Sequence, residues 1–163
     1  MDVRTRGPAR PRMVMLDPGL VDEVADAIHR DPEGLWALAG STTRDAGTIA
    51  RGIRGSLRNG ALLWRVEVGE DPCAGLVGEG SFDPRGGARL VVWLDPRHRG
   101  HDLGVGLVGE ALRRLVSHGR TTVQARVPAG SYAALRILNR LEFTYLGISR
   151  TVPGRVRYEY RGA

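Results

Sequence analysis

Apolar positions along this chain follow two rhythms, and the change between them comes at Gly60. Before it, Leu20, Val21, Val24, Ala25 and Ile28 recur at helical spacing, and so do Ala46, Ile49, Ala50, Ile53 and Leu57. Asp17-Pro18 places a carboxylate at an N-cap and proline at the first helical position, which predicts a helix ending near His29. Asp31-Pro32 repeats that signal for a short helix through Leu38. Thr43 or Ser41 is the expected cap of the third stretch, which Asn59-Gly60 ends. After Gly60 the pattern predicts strands over 61–68 and 74–82, joined by Glu70-Asp71-Pro72. A third strand, 88–94, follows the turn at 83–87. Its Leu-Val-Val-Trp-Leu run is the composition of a strand covered on both faces. Next come a long helix stopped at His118-Gly119, a strand over 121–127, a helix over 131–141, and a hairpin of 143–151 with 155–160. Helices, three antiparallel strands, then strand–helix–strand–helix–strand–strand make an α/β layer fold.

Composition narrows the class. A chain of 163 residues with 42% hydrophobic and 26% charged residues fits one folded domain, read here as 13–163 behind a mobile Arg/Pro-rich arm at 1–12. One cysteine, Cys73, excludes an internal disulfide and any multi-cysteine metal site, so no metal is expected. The longest apolar run is far below the ~20 residues of a membrane span, and the first twelve residues lack the apolar core of a secretory signal. A cytoplasmic location is the expectation. All 24 basic residues are arginine, for a net charge of +6. Base composition of the coding sequence accounts for that as well as attraction to an anionic partner does.

The segment L-D-P-R-H-R-G-H-D-L-G-V-G at 94–106 lies between the buried strand and a helix start. Such a junction presents unpaired N–H groups and a positive dipole end, and its glycines let a phosphate approach the backbone. Arg99 adds a charged donor. Equally, Gly104, Gly106 and Gly109 could serve only close packing. The segment resembles the acyl-CoA-binding motif R/Q-x-x-G-x-G/A of the GNAT superfamily of N-acetyltransferases. The later S-Y-A-A-L-R-I-L-N-R-L-E-F-T-Y-L-G is similar to that family's second motif, and the order of elements matches over almost the whole chain. A leucine rather than a tyrosine at that motif's eighth position, Leu138, together with the closing strands, resembles the branch that acetylates ribosomal-protein N-termini.

The resemblance implies a GNAT acyl-CoA N-acyltransferase fold: a mixed, mostly antiparallel sheet flanked by helices, with the fourth and fifth strands splayed by a β-bulge. It implies acetyl-CoA as acyl donor, held by backbone groups of Val92, Trp93 and Leu94 and by the loop Arg99, Gly100, His101, Asp102, Leu103 and Gly104. Val105 and Gly106 open the helix, and Ser131 stands where the family often has a pantetheine-contacting asparagine. Backbone N–H near Leu94 would stabilise the oxyanion. Three positions depart from the pattern. Asp102 replaces a glycine and is expected to cap the helix with its side chain, with repulsion of the phosphates as the other reading. Leu138 stands at the usual tyrosine acid, so solvent, Tyr132 or Tyr145 must protonate the thiolate. Glu142 replaces a glycine in a turn.

Glu79, inside an apolar strand, is either a base relaying a proton from the acceptor ammonium through water or an ion-paired carboxylate. His98 and His101 read as surface residues, and Cys73 as an inert thiol. Arg51, Arg54 and Arg58 share one helix face and would favour an acidic acceptor, unless that face is simply solvated. The leading function is acetyl transfer to a primary amine of a small molecule, peptide or protein N-terminus. The alternatives are a non-catalytic CoA- or nucleic-acid-binding domain and a toxin that acetylates aminoacyl-tRNA. The resemblance leaves a homodimer open and gives no membrane partner.

Overall fold

The computed structural model describes residues 10–34, 45–83, 87–100 and 102–162. Seven strands form one sheet in the order β1-β2-β3-β4-β5-β7-β6. They are β1 (Arg12–Met15), β2 (Leu63–Val68), β3 (Asp71–Asp83), β4 (Gly87–Leu94), β5 (Thr122–Pro128), β6 (Thr144–Ile148) and β7 (Arg155–Arg161). Every neighbouring pair is antiparallel except β4–β5. Among the elements bounded within the described residues, four helices cover it: α1 (Val21–His29), α2 (Ala46–Arg58), α3 (Leu103–Ser117) and α4 (Tyr132–Arg140). α3 is the crossover that a parallel β4–β5 pair requires.

Alternation along the strands divides the core in two. Val66, Val77, Val123, Ala125 and Tyr158 pack with Leu107, Val108, Leu115 and Leu138 of α3 and α4. Leu63, Leu76 and Trp93 pack on the opposite face with Val24, Ile28, Ile49 and Ile53 of α1 and α2. β4 contributes to both, with Leu90, Val92 and Leu94 facing one layer and Val91 and Trp93 the other. Its uninterrupted apolar run follows from that double coverage.

Several local expectations change. Arg12 is not part of an arm: it begins β1 and pairs with Glu67 at 3.3 Å. Residues 1–9 of that arm lie outside the described residues, as do 35–44, on which most of the expected short helix and the expected caps Ser41 and Thr43 fall. The residue that caps α2 is Asp45, whose carboxylate accepts from the Thr48 N–H at 2.7 Å. The β2–β3 turn is Gly69-Glu70, with Gly69 at φ 58°, and Pro72 falls inside β3. No described helix is long and apolar enough to cross a membrane.

Candidate active site

The sheet opens along one line. β4 and β5 pair only over Gly87–Arg89 and Thr122–Gln124, although β4 continues to Leu94 and β5 to Pro128. Where that pairing stops, Glu79 faces Leu90 and Ser81 faces Arg89, so Gly80 is an extra residue. The bulge therefore lies in β3, opposite the point where β4 and β5 part. Asp95 N–H donates to Ala74 at 2.8 Å, and a Cβ on Gly75 would sit 2.7 Å from the Trp93 carbonyl oxygen. The backbone groups of Trp93 and Asp95 thus point to β3. By alternation, those of Val92 and Leu94 point into the gap towards β5. Trp93 is thereby removed from the expected cofactor contacts. Its indole is buried on the α1 side, donating to Asp31 Oδ2 at 3.0 Å.

The N-terminus of α3 lies at the end of this gap. Asp102 occupies the N-cap position, yet its side chain accepts no helix N–H. The physical reason is its backbone: side-chain capping needs the extended conformation seen at Asp45, whereas Asp102 is left-handed at φ 56°, ψ 18°. The first-turn N–H groups of Leu103, Gly104 and Val105 are left without a side-chain cap, which is the arrangement an anion needs. Gly100 turns the loop at φ 81°, and nothing lies within 4 Å of where a Gly106 Cβ would be. Gly104 serves packing instead, since a Cβ there would meet Ile137 Cδ1 at 2.6 Å. These residues fit a pyrophosphate. His101 lies outside the described residues.

Asp102 and Glu142 are the two non-glycine residues at positive φ among those described, and both stand where the motif has glycine. A side chain in the left-handed region costs about 1–2 kcal/mol, less for aspartate. Glu142→Gly should therefore raise the melting temperature by roughly 2–3 °C, after the entropy of the freer unfolded chain is subtracted. Asp102→Gly should raise it less but tighten acetyl-CoA binding, because it removes a carboxylate beside the phosphate-binding turn. Calorimetry on both variants checks the two effects separately.

The remaining candidates are dispersed. The Arg99 N–H donates to Pro96 at 3.3 Å, its Nε to the Leu94 carbonyl at 2.9 Å, and its Nη2 to the buried Asp31 carboxylate. Arg99 is thus a strut between β4 and the end of α1, which replaces its expected role as a phosphate donor. Glu79 is fully buried, with Arg120 Nε and Nη2 on its two oxygens at 2.8 and 2.7 Å and the Leu62 N–H at 2.9 Å. It is the ion-paired carboxylate of the two readings. It is also displaced from the gap's open end: Leu94 faces Gly75 and Glu79 faces Leu90, about 13 Å along the strand.

Tyr145 lies on β6, separated from β4 by β5 and β7, with its ring 5.4 Å from Tyr158. Strand spacing alone puts it about 14 Å from β4, too far for proton donation there. Tyr132 is exposed at the start of α4, next to the N-cap residue Ser131, whose hydroxyl makes no cap bond. His98 pairs with Asp71 at 2.9 Å. Burial, then Glu23 and Asp71, push the Cys73 thiol up, so it stays protonated. No group of three or more His, Cys, Asp or Glu that could hold a metal exists among the described residues.

On the α2 side of the gap is a pocket of about 420 Å³. Ile49, Ile53 and Ser56 of α2 form one wall, Val91 of β4 the floor, and Val152 before β7 a rim. Its charged lining is Arg89, Arg126 and Arg155. Sequence reading missed this trio. Desolvation, then the Arg126 charge, lowers the Arg89 pKa; desolvation, then Arg126 and Arg89, lowers that of Arg155. The Arg51, Arg54 and Arg58 stripe is elsewhere: Arg54 pairs with Asp22 at 2.8 Å and Arg51 bonds the Thr48 hydroxyl.

Neither a protein-family model nor a curated protein matches the chain. Solved structures do match its fold. A spermidine N-acetyltransferase from Vibrio cholerae, bound to CoA and spermine, superposes with TM-score 0.78 at 13% identity, over 93% of this chain and 95% of that one. A ribosomal-protein-alanine N-acetyltransferase from Brucella melitensis gives TM-score 0.75 at 15% identity, over 93% and 99%. The microcin C7 self-immunity acetyltransferase MccE, with acetyl-CoA and AMP, gives 0.72 at 12% identity, over 94% and 93%.

Proposed function

The chain has the GNAT acetyltransferase fold, and on that premise we propose that it moves an acetyl group from acetyl-CoA to a primary amine. The observation that carries this reading is the gap between β4 and β5 ending at an uncapped helix N-terminus. Bound acetyl-CoA supplies an activated acyl carbon and a thiolate leaving group. Leu103, Gly104 and Val105 hold its pyrophosphate through backbone N–H, and Gly100 and Gly106 leave the space. The Val92 N–H takes the pantetheine arm with Ser131 opposite, and the Leu94 N–H binds the thioester oxygen as charge develops there. Tyr132, at the head of α4, donates a proton to the departing thiolate. The α2-side pocket orients the amine, which attacks as the neutral free base; the proton its nitrogen sheds on acylation replaces the one Tyr132 gives to the thiolate.

Thermal unfolding with acetyl-CoA tests the reading, with free CoA and ATP as controls. At ~100 times its dissociation constant the ligand adds about 2.7 kcal/mol. For a chain of this size that raises the melting temperature by roughly 5–10 °C. A shift with CoA compounds and none with ATP is expected. No shift would overturn the cofactor site.

A further inference from the structure

The α2-side pocket is charged in one sense only. Arg89 of β4, Arg126 of β5 and Arg155 of β7 reach it from three strands, and no carboxylate among the described residues lines it. Arg89 and Arg126 make no ion pair among the described residues, and the buried Arg126 Nε has no hydrogen-bond partner. Several arginines elsewhere are matched with acids, among them Arg120 with Glu79, Arg114 with Glu110 and Arg54 with Asp22. Arg89 and Arg126, brought together without a counter-charge, repel one another, and an anion placed between them removes that cost. Ser56 on the opposite wall spends its hydroxyl on the Gly80 carbonyl at 2.9 Å, so the arginines supply the pocket's charged recognition. A volume of about 420 Å³ suits a small molecule.

We infer that the acceptor is a small amine carrying its own carboxylate or phosphate, which Arg89 and Arg126 hold while Arg155 adds charge behind them. The inference rests on the acetyl-transfer reading. It also predicts whom the enzyme refuses. A polyamine brings several positive charges into a pocket that already holds three guanidiniums, and its binding is disfavoured.

The test uses matched acceptors: an amino acid against its amide, an aminoalkyl phosphate against the aminoalcohol, and spermine. Thiol release from acetyl-CoA reads turnover. Calorimetry on the CoA-saturated protein reads amine binding whether or not an acceptor reacts. At least a tenfold preference for the anionic member of a pair is expected, and the larger of the two preferences separates carboxylate from phosphate. Arg126→Gln should cut that preference about tenfold, Arg126→Lys should keep most of it, and the acetyl-CoA thermal shift should persist in both. Equal binding of the paired amines, or tighter binding of spermine, overturns the inference while acetyl transfer stands. No thermal response to acetyl-CoA overturns the transfer reading, and this inference with it.

Discussion

Glu79→Gln is expected to lower the melting temperature by roughly 6–20 °C, the largest loss of stability we predict from one side-chain atom. Glu79 is fully buried and accepts both donors of a bidentate Arg120 pair. The glutamine keeps an oxygen for the Leu62 N–H but takes the Glu79 charge away from a mostly buried guanidinium. Breaking a buried pair from one side costs about 3–5 kcal/mol, and each kcal/mol is worth roughly 2–4 °C in a domain of this length. Replacing both partners by apolar residues should recover much of the loss, because the cost lies in a buried charge that has lost Glu79. Turnover measured well below the transition should stay within about threefold of wild type. A hundredfold fall in the folded protein would instead return Glu79 to a role in proton transfer.

Leu94→Pro should act in the opposite way, leaving a folded protein that turns over about 10²–10³-fold more slowly. The Leu94 N–H points into the gap and gives nothing to the ladder with β3, so a proline removes a donor the sheet does not use. What is lost is the hydrogen bond to the oxygen that becomes negative during transfer. Acetyl-CoA should still raise the melting temperature, since the α3 N–H groups are untouched. Trp93→Pro is the contrasting control. Trp93 faces Leu76 with its backbone directed at β3, so that variant loses a ladder bond and fails to fold. Unchanged turnover in Leu94→Pro would mean that the thioester oxygen is held elsewhere.

What the sequence revealed was what short windows encode. Asp17 caps its turn by accepting from the Gly19 N–H, Asn59-Gly60 ends α2, and the apolar run at 90–94 is the doubly covered strand. Each is a signal carried by adjacent residues. The failures came from distance in sequence or from backbone conformation. Glu79 meets Arg120 across 41 positions, and Arg89, Arg126 and Arg155 converge only because the sheet sets β5 beside β4 and β7. Asp102 was misread as a capping side chain because composition does not show φ; a left-handed aspartate and an extended one are spelled alike. The arginines on α2 drew attention because helical spacing makes a stripe visible, whereas arginines alternating along strands present no such stripe to the reader.

The gap between β4 and β5 also has a mechanical meaning. It divides the sheet into two plates, β1–β4 and β5–β7–β6, whose shared seam is three residue pairs long. Cross-strand bonds that would normally lock the plates are withheld from Leu90 to Leu94 on one side and from Ala125 to Pro128 on the other. A pantetheine chain lying in the opening would act as a splint, taking the place of the missing bonds and tying the two plates together. On the proposed reading, the substrate would itself supply stiffness across the seam.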